Sequence, residues 1–297
     1  MLMNHLNTRC FLLGIILCIA PLVGTAYAED LIELTNCSLV KTDWADGDSF
    51  RVKDADGKEY AFRLYCVDCL ESHVNDTTDA RRLRAQRRYF GIAGYGGSAA
   101  TSIAAAKELG KQAKTVIEKE LQKRFTVHTS FADARGDGKY KRYYAFITTS
   151  TGQDLSQALV AQGLARAFGV YRATPDGRSR EEQRNWLRDI ELQAAARNVG
   201  VWALTDWDSL PVERQKEREE VAELALAIQG EPLDTENKIN LNVAARDDLM
   251  RLPGIGEVIA NRIIERRPYK SIEALLEVSG IGDKSLAEIR PYVKLSE

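Results

Sequence analysis

Asp46, Asp48, Arg63, Asp68 and Glu71 are the residues of this chain whose types and spacing best suit chemistry on a phosphodiester. They fall in two short runs, ADGDSF at Ala45–Phe50 and RLYCVDCLE at Arg63–Glu71. Breaking such a bond requires a nucleophile, neutralisation of charge on the phosphoryl oxygens, and alignment of attacker with leaving group. Carboxylates are hard oxygen donors that suit calcium or magnesium better than zinc. A positioned carboxylate can also take a proton from water, and the planar fork of arginine can hold two phosphate oxygens. Each feature has a plainer reading when taken alone. Asp-Gly is a hairpin signal, and an Arg–Asp pair in a strand is often a salt bridge. The grouping carries the argument.

Fifteen residues separate Asp48 from Arg63, with a turn signal at Asp54–Gly57 (DADG) between them. That spacing folds the first run back beside the second. Leu39–Trp44, Ser49–Lys53 and Tyr60–Val67 read as strands from their alternation and their β-branched and aromatic residues. A long amphipathic helix is predicted over about 102–124, with Ser102 as its cap. Phe125–Phe131 and Tyr143–Thr149 read as further strands. Asp154 caps a short helix ending at Gly163, and Glu181–Arg197 forms another. Short strands with a few helices suit a small Greek-key barrel. The stretch 72–98 carries arginines at 81, 82, 84, 87 and 88 with no acid among them. It reads equally as a basic flap attracting phosphates or as a solvated helix. His73, Asp76 and Asp79 read as loop polarity.

The two runs resemble the core of staphylococcal-type thermonucleases, in which DGDT, a hairpin and RLLLVDTPE follow one another. The resemblance extends over about 39–202 apart from the insertion at about 72–98. It implies an α+β fold, a five-stranded OB-fold β-barrel with appended helices. It also implies calcium-dependent hydrolysis of DNA, and of RNA, leaving 3′-phosphate ends. Asp48, Asp68 and the Cys69 backbone carbonyl match the metal ligands, with Asp46 behind them. Magnesium or another divalent cation would suit the same donors. Glu71 matches the general base, and Arg63 and Arg142 match the phosphate-binding arginines. Lys139 and Tyr140 match contacts to a terminal phosphate, and Tyr171 matches a nucleotide-binding tyrosine. Ser49, Cys69, Leu70 and Gly169 depart from the family's residues, and Leu70 stands where a proline stiffens the loop carrying the base.

The last part of the chain contains a repeat, LPGIGE at Leu252–Glu257 and VSGIGD at Val278–Asp283. It resembles the tandem helix-hairpin-helix domain of competence DNA-receptor proteins, a small all-α unit. Gly254, Gly256, Gly280 and Gly282 would form tight hairpins whose amides meet DNA phosphates without reading sequence. The domain boundaries fall at 29–208, 209–237 and 238–297, the middle segment being an acidic helical and flexible linker. A non-catalytic protein that holds nucleic acid during DNA uptake is the alternative function.

Arg9 precedes an apolar run, Phe11–Val23, and Thr25-Ala26-Tyr27-Ala28 ends in a small-x-small pattern. Residues 1–28 therefore read as a signal peptide, with a periplasmic or extracellular product. Removal of that segment leaves Cys37, Cys66 and Cys69. Export favours one disulfide, Cys37–Cys69 first and Cys37–Cys66 second, whereas a tetrahedral zinc site needs four ligands. The whole chain has 297 residues and a net charge of −2. The acidic excess lies in residues 209–237, with 8 acidic and 3 basic side chains. Neither domain has the broad basic footprint of a tight nucleic-acid binder, so any such contact relies on local patches.

Overall fold

The structure, a computed structural model, describes residues 31–134, 141–229 and 235–295. The expected signal segment and the candidate residues Lys139 and Tyr140 lie outside them. No helix among the described residues is long and apolar enough to cross a membrane.

Strands β1 (Ile32–Val40), β2 (Ser49–Lys53) and β3 (Glu59–Leu64) form a meander whose second turn, at Asp54–Gly57, was legible in the sequence. Asp54 holds that turn by accepting the N–H groups of Asp56 and Lys58. The short strand β4 (Val67–Cys69) does not continue β3, as the sequence had implied. Cys66 has φ of 72°, and this left-handed step separates the two. Helix α1 (Thr77–Tyr89) lies in the insertion and is capped by Asp76, which accepts the N–H groups of Thr78 and Asp79.

Helix α2 (Ala99–Glu120) begins earlier than expected because Ser98, not Ser102, supplies the cap. Ser102 is buried and binds the insertion instead, accepting from Arg87 Nε at 2.7 Å and donating to the Ile92 carbonyl. Strands β5 (Phe125–Asp133) and β6 (Tyr143–Thr148) follow. The barrel closes in the order β1-β2-β3-β6-β5, with β5 back against β1. β3 and β6 run parallel, with Arg63 opposite Tyr144. Phe50, Val52, Phe62, Leu64, Val127 and Phe146 fill the core.

Helix α3 (Leu155–Ala161) has the predicted Asp154 cap. Strand β7 (Ala165–Ala167) pairs with β4 and places Arg166 opposite Asp68. Helix α4 (Arg180–Ala196) starts with a capping box made by Ser179 and Glu182, two side chains satisfying two otherwise orphaned donors. Helix α5 (Leu210–Gln229) is the acidic linker helix. Glu217 and Glu220 on it pair with Arg84 and Arg88 of α1 at 2.7–3.5 Å. The arginine-rich helix thus exists, but most of its charge is engaged within the protein.

The C-terminal unit contains β8 (Ile239–Asn240), α6 (Arg246–Leu249), α7 (Glu257–Glu265), α8 (Asp283–Ile289) and β9 (Val293–Lys294). A parallel β8–β9 pair ties its ends together. Gly254 and Gly280 take positive φ in the two hairpins, at 72° and 105°. Gly256 and Gly282 have extended backbone and serve as the caps of α7 and α8.

The Cys37–Cys69 disulfide expected from export is not formed, nor is the Cys37–Cys66 alternative. All three cysteines are buried thiols. Cys37 Sγ turns to the Leu34 carbonyl on its own strand, at 3.3 Å. Cys69 Sγ packs against Gly47, where a Cβ would come within 2.8 Å of it. Burial, with the charge of Asp54, pushes the Cys37 thiol up to about 11.

Candidate functional site

The adjoining ends of β2, β3, β4 and β7 bring Asp48, Arg63, Asp68 and Arg166 together. Arg63 Nη2 donates to Asp48 Oδ2 at 3.3 Å and to Asp68 Oδ1 at 3.2 Å. Arg166 Nε donates to Asp68 Oδ2 at 2.8 Å, and Nη2 forms an ion pair with the same oxygen at 2.8 Å. The Cys69 N–H also reaches Asp48 Oδ2, at 3.2 Å. Asp46 shapes the turn by accepting the N–H groups of Asp48 (3.1 Å) and Ser49 (2.7 Å). Asp46 thus holds the turn that carries Asp48.

Glu71 lies in the loop after β4. Arg82 Nη1 donates to its Oε1 at 2.9 Å, and its backbone N–H donates to Gln86 Oε1 at 3.0 Å. Gln86 Nε2 in turn donates to Asp68 Oδ2 (3.0 Å) and to the Cys69 carbonyl (2.7 Å). The group is enclosed: Asp48 is 4%, Arg63 6%, Asp68 3% and Glu71 9% exposed.

Burial would raise the Asp68 carboxyl, yet Arg166, Arg63 and the Gln86 amide hold it down at about 2. Burial would strip charge from Arg63, but Asp48 and Asp68 keep it firmly protonated. Glu71 moves the other way. Burial raises it, Arg82 opposes the shift, and Asp48 adds to it. Asp46 is raised by burial and then by Asp48 and Glu71. Four carboxylates thus face three guanidinium groups.

The donor chemistry fits a hard divalent cation, because the available ligands are oxygens and the carboxylates are in excess. Asp48, Asp68 and the Cys69 carbonyl are the groups that would hold it. Among the described residues, no three Asp, Glu, His or Cys side chains already surround a common centre. The guanidinium and amide donors just described occupy much of that acceptor capacity.

Arg142 immediately precedes β6, and its carbonyl accepts the Ala134 N–H at 2.8 Å. The Tyr144 hydroxyl, raised by burial, is opposed by Arg63, Arg246, Arg142 and Arg267. Both candidate phosphate-binding arginines therefore lie near one tyrosine, together with two arginines of the C-terminal unit. Tyr171 is buried under Arg184, whose guanidinium carbon is 4.6 Å from the ring centre. The Tyr171 N–H donates to Glu265 of α7 at 3.0 Å. Glu265 also pairs with Arg184 (3.3 Å) and Arg180 (3.6 Å), so the C-terminal unit rests on the barrel beside this residue.

The sequence did not point to Gln86 or Arg166, and it offered Arg82 only as one arginine of a basic flap, not as a partner of Glu71. Leu83, Gln86 and Arg87 share the buried face of α1, a spacing that marks an inward-facing stripe. A glutamine on such a stripe was the available signal. Arg166 lies in an otherwise apolar strand, LARA, and a lone charge there requires a buried partner.

A closed five-stranded barrel with a charged cluster at its strand ends, followed by a glycine-hairpin module, defines an OB-fold protein of nucleic-acid chemistry. Residues 61–204 match the staphylococcal nuclease homologue family, and residues 234–294 match the helix-hairpin-helix motif. The chain thus carries a staphylococcal-nuclease-like domain followed by a helix-hairpin-helix unit, completed at its start by β1 and β2. These domains give it a nuclease or nucleic-acid-binding role.

The chain is also similar to endonuclease/exonuclease/phosphatase family domain-containing protein 1 of Homo sapiens and of Xenopus laevis. Identity to each is 36% over 62 residues, or 20% of this chain and 11% of the relative. The corresponding protein of Danio rerio is 34% identical over 68 residues, covering 22% of this chain and 12% of the relative. The chain therefore spans only a small part of the length of these relatives.

Proposed function

We propose that this protein is an exported, calcium-dependent nuclease that hydrolyses DNA, and also RNA, with little sequence preference and leaves 3′-phosphate ends. The observation that carries the reading is the convergence of Glu71, Arg63, Asp48 and Asp68 in one enclosed cluster. Asp48, Asp68 and the Cys69 carbonyl would hold the cation, which would supply positive charge at the phosphoryl oxygens and make a nearby water easier to deprotonate. Glu71 accepts the proton of the attacking water. Its raised affinity for protons suits that task better than an ordinary surface carboxylate would. Arg63 and Arg142 hold the phosphate oxygens. The glycine hairpins at Gly254–Gly256 and Gly280–Gly282 attach the protein to the phosphate backbone. Residues 1–28 direct export to the periplasm or the exterior.

The enclosure of the cluster favours one second reading, a binding protein without turnover that serves DNA uptake. Incubation of the mature protein with plasmid and with RNA, in calcium and in chelator, separates the two. The nuclease reading expects calcium-dependent cleavage, with a loss of about a hundredfold to ten-thousandfold in Glu71→Gln. A folded wild-type protein that binds DNA but cleaves neither substrate under any divalent cation refutes it.

A further inference from the structure

The side chain most closely joined to this cluster lies outside its motif. Gln86 is on α1, in the insertion, and has 0% exposure. A primary amide offers one carbonyl oxygen and two N–H donors, and Gln86 uses both ends. Its Oε1 accepts the Glu71 N–H at 3.0 Å, while Nε2 donates to Asp68 Oδ2 at 3.0 Å and to the Cys69 carbonyl at 2.7 Å. Only this orientation of the amide satisfies all three partners, because Glu71 presents a donor and the other two present acceptors. One side chain therefore connects residues 68, 69 and 71.

Arg82 lies four residues earlier on the same helix and holds the Glu71 carboxylate at 2.9 Å. Residues four apart share a helix face, so a single face of α1 grips both the backbone and the side chain of Glu71. The helix is itself fixed on two sides. Arg84 and Arg88 pair with Glu217 and Glu220 of α5. Arg87 binds Ser102 of α2 and the Ala93 carbonyl.

We propose that Gln86 is a positioning residue of the hydrolytic site, setting Asp68, the Cys69 carbonyl and Glu71 relative to one another. The inference rests on the nuclease reading above. It makes the insertion a working part of the site. A neutral amide is suited to this role because it offers a donor end and an acceptor end together and leaves the charge balance untouched. Its carbonyl end also fixes the loop of the base, which a group serving only to block the acceptors would not do.

The test compares the wild-type protein with Gln86→Met, which keeps the volume and loses the hydrogen bonds, and with Gln86→Glu. The latter keeps an acceptor for the Glu71 N–H but sets a carboxylate against Asp68 and the Cys69 carbonyl. On a short oligonucleotide in calcium, kcat should fall about tenfold to a hundredfold in both, with KM changed by less than about threefold. Amide hydrogen exchange at Glu71 should accelerate in Gln86→Met, a readout independent of turnover.

Native kcat and unchanged Glu71 exchange in either folded variant overturn the proposal. Higher kcat with tighter calcium binding by calorimetry also overturns it, and makes α1 a stopper. Failure of both variants to fold assigns Gln86 to stability alone and overturns it as well. If the wild type itself cleaves neither DNA nor RNA, the nuclease reading fails and this role fails with it. A wild type that cleaves no better than Gln86→Met removes only the role of Gln86.

Discussion

Gly110 sits within α2, where helix propensity alone favours alanine by about 1 kcal/mol. The structure gives the opposite expectation. A Cβ at Gly110 would lie 2.4 Å from the Leu70 carbonyl oxygen and 2.9 Å from the Ser72 nitrogen, whereas ordinary contact begins at 3.4 Å. Both obstacles are backbone atoms, so no side chain can rotate aside. In Gly110→Ala either the helix or the 70–72 loop must shift by about 1 Å, and overpacking of this kind costs about 1–3 kcal/mol. The propensity gain offsets only part of that cost, and Tm should fall by up to several degrees, at about 2–4 °C per kcal/mol. Glu71 lies between the two obstructed positions. Misplacement by about 1 Å can lower turnover about a hundredfold, so kcat should suffer far more than folding does. The assay pairs a thermal melt with calcium-dependent cleavage of a short oligonucleotide. A raised Tm together with native turnover would show that the loop absorbs the methyl group and that this close approach does not set Glu71.

Asp48→Asn combined with Asp68→Asn should remove calcium binding measured by calorimetry, and undiminished binding would place the cation elsewhere. Iodoacetamide at pH 8 should leave Cys37, Cys66 and Cys69 unmodified in the folded protein and alkylate all three after unfolding without reductant. Recovery of a single modified cysteine would reveal a disulfide. Glu265→Ala removes the acceptor shared by the Tyr171 N–H, Arg184 and Arg180, both arginines being partly exposed. The C-terminal unit should come away from the barrel, and an unchanged radius of gyration in solution scattering would refute that. Deletion of residues 238–297 should spare cleavage of short oligonucleotides while weakening binding to long duplex DNA and flattening its salt dependence. Unchanged affinity and slope would mean that the unit binds something other than DNA.

Most of the barrel was legible because its strands alternate and its turns carry their own chemistry, but the first strand, expected over Leu39–Trp44, runs over Ile32–Val40. Ser49–Lys53 was placed to the residue, and Asp54 closes the turn that the DADG run implied. Asp48, Arg63 and Asp68 were legible as a group because their spacing matched one hairpin. The conditions around them were not. The Tyr60–Val67 strand was expected to run unbroken, but the left-handed residue at Cys66 carries no glycine to announce it. The helix cap moved from Ser102 to Ser98 because tertiary contacts with Arg87 and Ile92 claim the Ser102 hydroxyl. The Arg-rich insertion was read through its charge alone. Its neutral Gln86 makes the closest connections to the site, and its arginines find acids more than a hundred residues away on α5. Such pairings depend on how elements dock, and no local pattern encodes them. Leu70 replaces a stiffening proline in the resembled motif, and the Gln86 bond to the Glu71 N–H supplies a restraint at that same loop.

The charge arrangement also ties the proposed steps to one another. Arg63 cannot present its bonded Nη2 edge to a phosphate while that edge bridges Asp48 and Asp68. A phosphate that takes this edge leaves Asp48 to the Ser49 hydroxyl and the Cys69 N–H, and Asp68 to Arg166 and Gln86. Each buried carboxylate loses a charged donor, which is unfavourable. A cation held at the aspartates would offset that loss and let the guanidinium turn to a phosphate. Cation and phosphate should therefore each strengthen the binding of the other, by the same factor, because coupling between two binding equilibria is reciprocal. Arg166 meets Asp68 at Oδ2, away from the Oδ1 that Arg63 holds. The division of Asp68 between two arginines means that loss of the Arg63 contact would leave Arg166 in place on the same carboxylate. On the nuclease reading, attraction of a polyanion would then be local to Arg63 and would not need a broad basic surface.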